Sequence, residues 1–225
     1  MRLVIRVSAL SLVLSLLVAA PVAAQEAYSF RSTLTGTSAD AFWETCTPDT
    51  PEPGLQTCNG TNVNVLQGSA RFRSDIEGPV RAGGRACAST QTYIIGPDFF
   101  EEVSLAAGCT ETFTFTVAGD LSTAHLTATV PLTAIECDEF SCEDVGEPTN
   151  VAVDATWTAL EPAHTVRERS VSHYFHDGFW CKSSFSRQGL AAFGTATGSI
   201  DGADLGTAVF AEIFSGRTSF ADSCR

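Results

Sequence analysis

Apolar and polar residues exchange places with period two along much of the chain. Thr112, Thr114 and Thr116 alternate with Phe113, Phe115 and Val117. Leu126, Ala128, Val130, Leu132 and Ala134 share one side of the next stretch, and Val151, Val153, Ala155 and Trp157 one side of another. Successive side chains of a strand point to opposite faces, so this alternation among β-branched and aromatic residues predicts half-buried antiparallel strands. Ala118-Gly119-Asp120, Asp177-Gly178 and Asp201-Gly202 supply turn chemistry between them. One stretch, DFFEEVSLAA at 98–107, has the composition of a single short helix. The expected fold is all-β: an antiparallel sandwich or partly closed barrel of roughly ten strands.

Several phrases return in order. TNVNV at 61–65 echoes in TNVAV at 149–153, each preceded by two cysteines, Cys46 and Cys58 or Cys137 and Cys142. The segments VRAGGRACAST (80–90) and VRERS…FWCKSS (166–184) share Val-Arg and then a cysteine followed by small hydroxyl residues. Common order at a common spacing is the mark of an internal repeat. The chain therefore divides into a single domain, 25–225, with pseudo-repeats at about 27–109 and 110–190. A C-terminal hairpin follows at about 191–225.

The first 24 residues fall outside that pattern. Arg2 and Arg6 precede a long apolar run that ends in Val22-Ala23-Ala24, the basic start, apolar middle and small-residue exit of a secretory signal peptide cleaved after Ala24. Eight cysteines behind such a leader, with no Cys-x-x-Cys pair, imply a disulfide framework rather than a metal cage. If the halves correspond, Cys46–Cys58 and Cys137–Cys142 are local clasps, and Cys87–Cys109 and Cys181–Cys224 join strands. A single lysine, Lys182, among the basic residues fits a GC-rich bacterial source.

Charge changes the picture next. Thirteen basic residues, two of them in the leader, face 26 acidic ones, for a formal net charge of −13. A field of that sign repels phosphate backbones and anionic bilayers, which argues against nucleic acid and lipid surfaces as partners. An outer-membrane barrel would need an apolar lipid-facing band around its whole ring, which the acidic, cysteine-rich chain does not offer.

Two stretches carry candidate chemistry. Glu136, Asp138, Glu139, Glu143 and Asp144 crowd around the Cys137–Cys142 clasp. Crowded carboxylates on a loop are the ligand set of a hard cation such as Ca²⁺, although the spacing matches no EF-hand. His173, His176 and Asp177 form the second group, with the residue types of a zinc site or a proton-transfer pair. Residues three apart on a strand face opposite ways, so His173, sharing a side with Val171 and Phe175, reads as a histidine at the core margin. Trp43, Phe99, Phe100 and Phe140 are candidates for exposed aromatics. No nucleophile elbow or phosphate-cradling glycine loop is present. The sequence thus predicts a secreted, monomeric, non-catalytic β protein with no resident cofactor, binding an extracellular protein or polysaccharide or serving a structural role. A loop-assembled, metal-dependent hydrolase is the alternative.

Overall fold

The computed structural model describes residues 29–48, 55–74, 78–137, 142–176 and 179–224. The expected signal segment, Asp138, Glu139, Phe140 and the Asp177-Gly178 step lie outside them. All regular structure is β. The first half holds β1 (Ser29–Pro48), β2 (Gln56–Ser74), β3 (Gly78–Ala82), β4 (Arg85–Gly96) and β5 (Phe99–Thr110). The second holds β6 (Phe113–Val117), β7 (Thr123–Cys137), β8 (Cys142–Ala159), β9 (His164–His176), β10 (Phe179–Ile200), β11 (Ala203–Thr207) and β12 (Phe210–Cys224). Of residues 98–107, expected as a helix, 99–107 instead open β5. Their pairing with β4 in the hairpin around residues 97 and 98 outweighs a weak local preference.

Every pairing is antiparallel, and the hydrogen-bonded path β1-β12-β10-β8-β7-β5-β4-β2 returns to β1. The result is an uneven, partly closed barrel. Its seam at β5–β7 is short: Leu105 opposes Ile135, Ala106 opposes Ala134, and the ladder ends with Ala107 and Thr133. Pro131 follows two residues before Thr133 on β7, and a proline has no N–H to extend a ladder.

A narrow ring must be filled by a few large side chains among many small ones. Trp157, Trp43, Phe115 and Leu126 occupy the interior against Ala39, Ala41, Ala88, Ala192, Ala196 and Ala211. Phe115 meets Trp157 edge-on at 6.5 Å. Each indole donates to a backbone carbonyl, Trp157 to Asp40 at 2.9 Å and Trp43 to Gly206 at 3.2 Å, so no polar atom of the two is stranded. Trp43, expected at the surface, is 3% exposed. Its odd position on β1, with Ala39 and Ala41, places it inside the ring.

Cysteine pairs occur in the same order along the two parts of the chain. A hairpin carrying a cysteine pair near its tip comes first: Cys46–Cys58 on β1 and β2, then Cys137 opposite Cys142 on β7 and β8. A strand pair bonded at its open end follows: Cys87–Cys109 on β4 and β5, then Cys181–Cys224 on β10 and β12. The three bonded pairs match those expected from the correspondence between halves.

β1, β2, β10 and β12 are longer than the ring requires. Their outer portions, flanked by β3 and β9, run on as a sheet in the order β3-β2-β1-β12-β10-β9. Where this extension leaves the ring, Gly68, Gly36, Gly216 and Gly189 stand directly opposite one another across four strands. A Cβ on Gly36 would lie 2.2 Å from the Gln67 carbonyl oxygen, and one on Gly189 equally close to that of Ser215. Gly36 also has φ +144°, open to glycine alone. The row is a crease at which four backbones approach closer than any side chain permits.

Gly36→Ala therefore destabilises the fold by about 3 kcal/mol or more, through both strain and the clash with Gln67. Gly83→Ala, where an added Cβ meets nothing within 4 Å, changes stability by less than about 0.5 kcal/mol. Urea melts of the two variants check the contrast, and equal midpoints would remove the crease from the account.

Candidate functional site

The acidic group does not converge among the described residues. Glu136, next to the last residue of β7, opposes Glu143, and Asp144 opposes Ile135; all three acids are exposed. Asp138 and Glu139 lie outside the described residues. No cluster of three His, Cys, Asp or Glu suited to a metal ion occurs among the described residues. Of the histidine patch, His173 stands on β9 opposite Lys182 and is exposed, not at a core margin. His176 closes β9 opposite Phe179, and Asp177 is beyond the described range. The described histidine with a carboxylate partner is His125, 3.3 Å from Asp154, with both groups open to solvent.

What the structure does bring together is positive charge. Directly opposed residues of antiparallel strands point the same way. One row of the extension reads Ser69, Thr35, Arg217, Gln188, Arg167 from β2 to β9; the next reads Arg71, Thr33, Ser219, Ser186, Arg169. A third reads Arg73, Arg31, Ala221, Ser184, Val171, and a fourth ends in Lys182 and His173. Seven of the chain's thirteen lysines and arginines thus share one exposed face: Arg31, Arg71, Arg73, Arg167, Arg169, Lys182 and Arg217. Arg81 of β3 stands opposite Arg71 in register.

Among the described residues no acid shares that face. Glu168 and Asp222, the acidic residues of these strand portions, have the opposite parity. Asp222 there accepts a hydrogen bond from the Tyr174 hydroxyl at 3.0 Å. Within the ring the same side of β1 carries Ala39, Ala41 and Trp43, so the barrel's inner wall continues past the glycine crease as the basic surface. A shallow, open cleft of about 280 Å³ lies on it, bordered by Arg31, Arg169 and Arg217 with the hydroxyls of Ser184, Ser186 and Ser219. Beyond Lys182 and His173, Trp180 and Phe175 form the next cross-strand pair on this face. Their rings meet edge-to-face at 5.4 Å and are 69% and 60% exposed.

Arg31 directly opposes Arg73, a like-charge pair that costs stability in an antiparallel sheet. The sequence did carry a signal for the basic face: Arg71-Phe72-Arg73 and Arg167-Glu168-Arg169 repeat arginine at the strand period. That both pairs face the same way as Arg31 and Arg217 follows only from the register through β1 and β12.

On the other side of the crease, the carboxyl group of Asp40 accepts from the Asn62 amide at 3.0 Å. Burial, reinforced by the charge of Glu212, pushes the Asp40 carboxyl up to about 7. Glu212 is raised as well, by burial, against the opposing pull of Arg187, which pairs with it at 2.8 Å. The Arg187 guanidinium also lies 4.0 Å from the centroid of the Phe214 ring. No protein-family model matches the chain, and no curated protein or solved structure resembles it significantly.

A carboxyl whose folded pKa lies above its unfolded value binds its proton more tightly in the native state, so its stabilising contribution is present at low pH and lost as pH rises through the folded pKa. As pH rises from about 4 to about 7 the wild type consequently loses stability, on the order of 1.4 kcal/mol per pH unit, and the decline levels off above pH 7. Asp40→Asn flattens this decline and is the more stable protein at pH 8. Denaturation midpoints at pH 5, 6, 7 and 8 test it; parallel profiles for the two proteins would show that Asp40 is not the titrating group.

Proposed function

We propose that the protein is exported, non-catalytic and works by binding, with the basic face of the six-strand extension as its contact surface for an anionic partner. One observation carries the reading. A chain of net charge −13 gathers seven of its thirteen cations on a single exposed face that holds no acid among the described residues. An oppositely charged partner desolvates and neutralises such a surface, and steered association follows from its field.

The disulfides and the absence, among the described residues, of a helix long and apolar enough to cross a membrane are compatible with an extracellular location. The signal peptide expected at 1–24 supports the same proposal. Duplicated ancestry belongs to it too, supported by the matching order of clasped and end-bonded strand pairs in the two halves. Glu136, Glu143 and Asp144 stand on β7 and β8, which belong to the ring rather than to the extension, so a calcium site there is not required by this reading.

Net charge alone directs an acidic protein through a cation exchanger at neutral pH. A local face of seven cations predicts retention instead, with elution at modest salt. The double variant Arg169→Glu/Arg217→Glu flows through while keeping the wild-type far-ultraviolet circular dichroism. Flow-through of the wild type at low salt would overturn the proposal.

A further inference from the structure

The basic face combines three features that narrow its ligand. Around the cleft, away from the Arg31–Arg73 pair, its cations are spaced rather than continuous. With strands about 4.8 Å apart and a rise of about 3.4 Å per residue, Arg31, Arg169 and Arg217 have Cα atoms about 12–16 Å from one another. Hydroxyls fill the space between them, from Ser184, Ser186 and Ser219. At one end of the same face Trp180 and Phe175 present exposed aromatic surface.

A duplex nucleic acid carries about one negative charge per 1.7 Å of its axis, far denser than these cations can neutralise, and the surplus would meet the protein's own negative field. A polymer of sugar rings bearing carboxylates is sparser. Its carboxylates are planar and suit the fork of a guanidinium, which donates two parallel hydrogen bonds to both oxygens at once. Its ring hydroxyls can exchange hydrogen bonds with serine and threonine hydroxyls, which act as donor and acceptor alike. The C–H-rich face of a pyranose is apolar and slightly positive, which matches the negative face of an indole or phenyl ring. Spaced arginines, intervening hydroxyls and a terminal aromatic pair are the complement of such a chain.

We infer that the ligand of the basic face is a linear polyuronate, its carboxylates held at Arg31, Arg169 and Arg217 and a sugar ring stacked on Trp180. The inference rests on the proposed function above and assigns the partner class of that same surface. Polymer lies across the strands from β1 toward β9, over the cleft, and reaches the aromatic pair past Lys182 and His173. The flat, open form of the cleft suits an interior segment of a chain rather than an enclosed small molecule.

Isothermal titration of the oxidised protein with polygalacturonate tests this, with neutral dextran, single-stranded DNA and a second aliquot of the protein itself as the other titrants. Binding of polygalacturonate and not of dextran is expected, weakening as salt is raised. Arg169→Ala and Arg217→Ala each lower the affinity about tenfold. Arg217→Lys, which keeps the charge and loses the fork, also weakens binding, separating bidentate recognition from a diffuse field. Trp180→Ala lowers affinity severalfold with an unchanged salt dependence. Circular dichroism and the oxidised mass establish that each variant is folded.

Tighter binding of DNA, or of a second copy of the chain, through the same arginines would overturn the polyuronate inference and leave the basic-face reading standing. Polygalacturonate binding that is indifferent to all four substitutions would also overturn it. If no titrant binds and the wild type passes through a cation exchanger, the inference and the reading beneath it both fall.

Discussion

The close approach of four backbones at Gly36, Gly68, Gly189 and Gly216 is the constraint on which the rest of the molecule depends. On the ring side of that row, alternation along β1, β2, β10 and β12 sends small apolar residues inward to meet Trp157, Trp43 and Phe115. Beyond it the same alternation continues without interruption, and the inward positions become Arg, Ser and Thr. A side chain at any of the four sites would occupy space now taken by a neighbouring strand's carbonyl. One face of four long strands therefore serves as core in one half of its length and as exposed surface in the other.

The surface carries an internal cost. Arg31 opposes Arg73 without an intervening acid, while the acids of the same strands point away. Arginines left in this arrangement repel one another through water, and a bound anion relieves the repulsion. The stability of the fold comes from elsewhere: from the filled ring, the disulfides and the satisfied indoles. Buried carboxyls at Asp40 and Glu212 sit just inside the crease and are themselves held uncharged or paired. Function and stability thus occupy adjoining parts of the same strands.

Much of the fold was legible in the chain. Period-two runs around Phe115, Leu126 and Val153 marked the strands, and turn residues at 118–120 and 201–202 marked their ends. Asp201 and Gly202 both adopt positive φ, as a tight hairpin demands. Three of the four expected cysteine pairs are bonded as anticipated. Barrel closure was not legible, because pairing β1 with both β2 and β12 is a long-range choice that no local pattern encodes. Nor was β5, whose acidic start resembled a helix until β4 paired with it.

The basic face was missed for a different reason. Net charge averages over the molecule, and the average concealed a segregation visible only once the register was known. Arg-x-Arg spacing at 71–73 and 167–169 showed that each pair shares a side, but not that both pairs share it with Arg31 and Arg217. The most direct test maps amide chemical shifts in the ¹H–¹⁵N spectrum while a short oligogalacturonate is added. Progressive shifts at 29–35, 165–173, 182–188 and 215–221, with the acidic tip around Glu143 unmoved, are what the account predicts. Shifts confined to that tip, with those four segments unmoved, would contradict it.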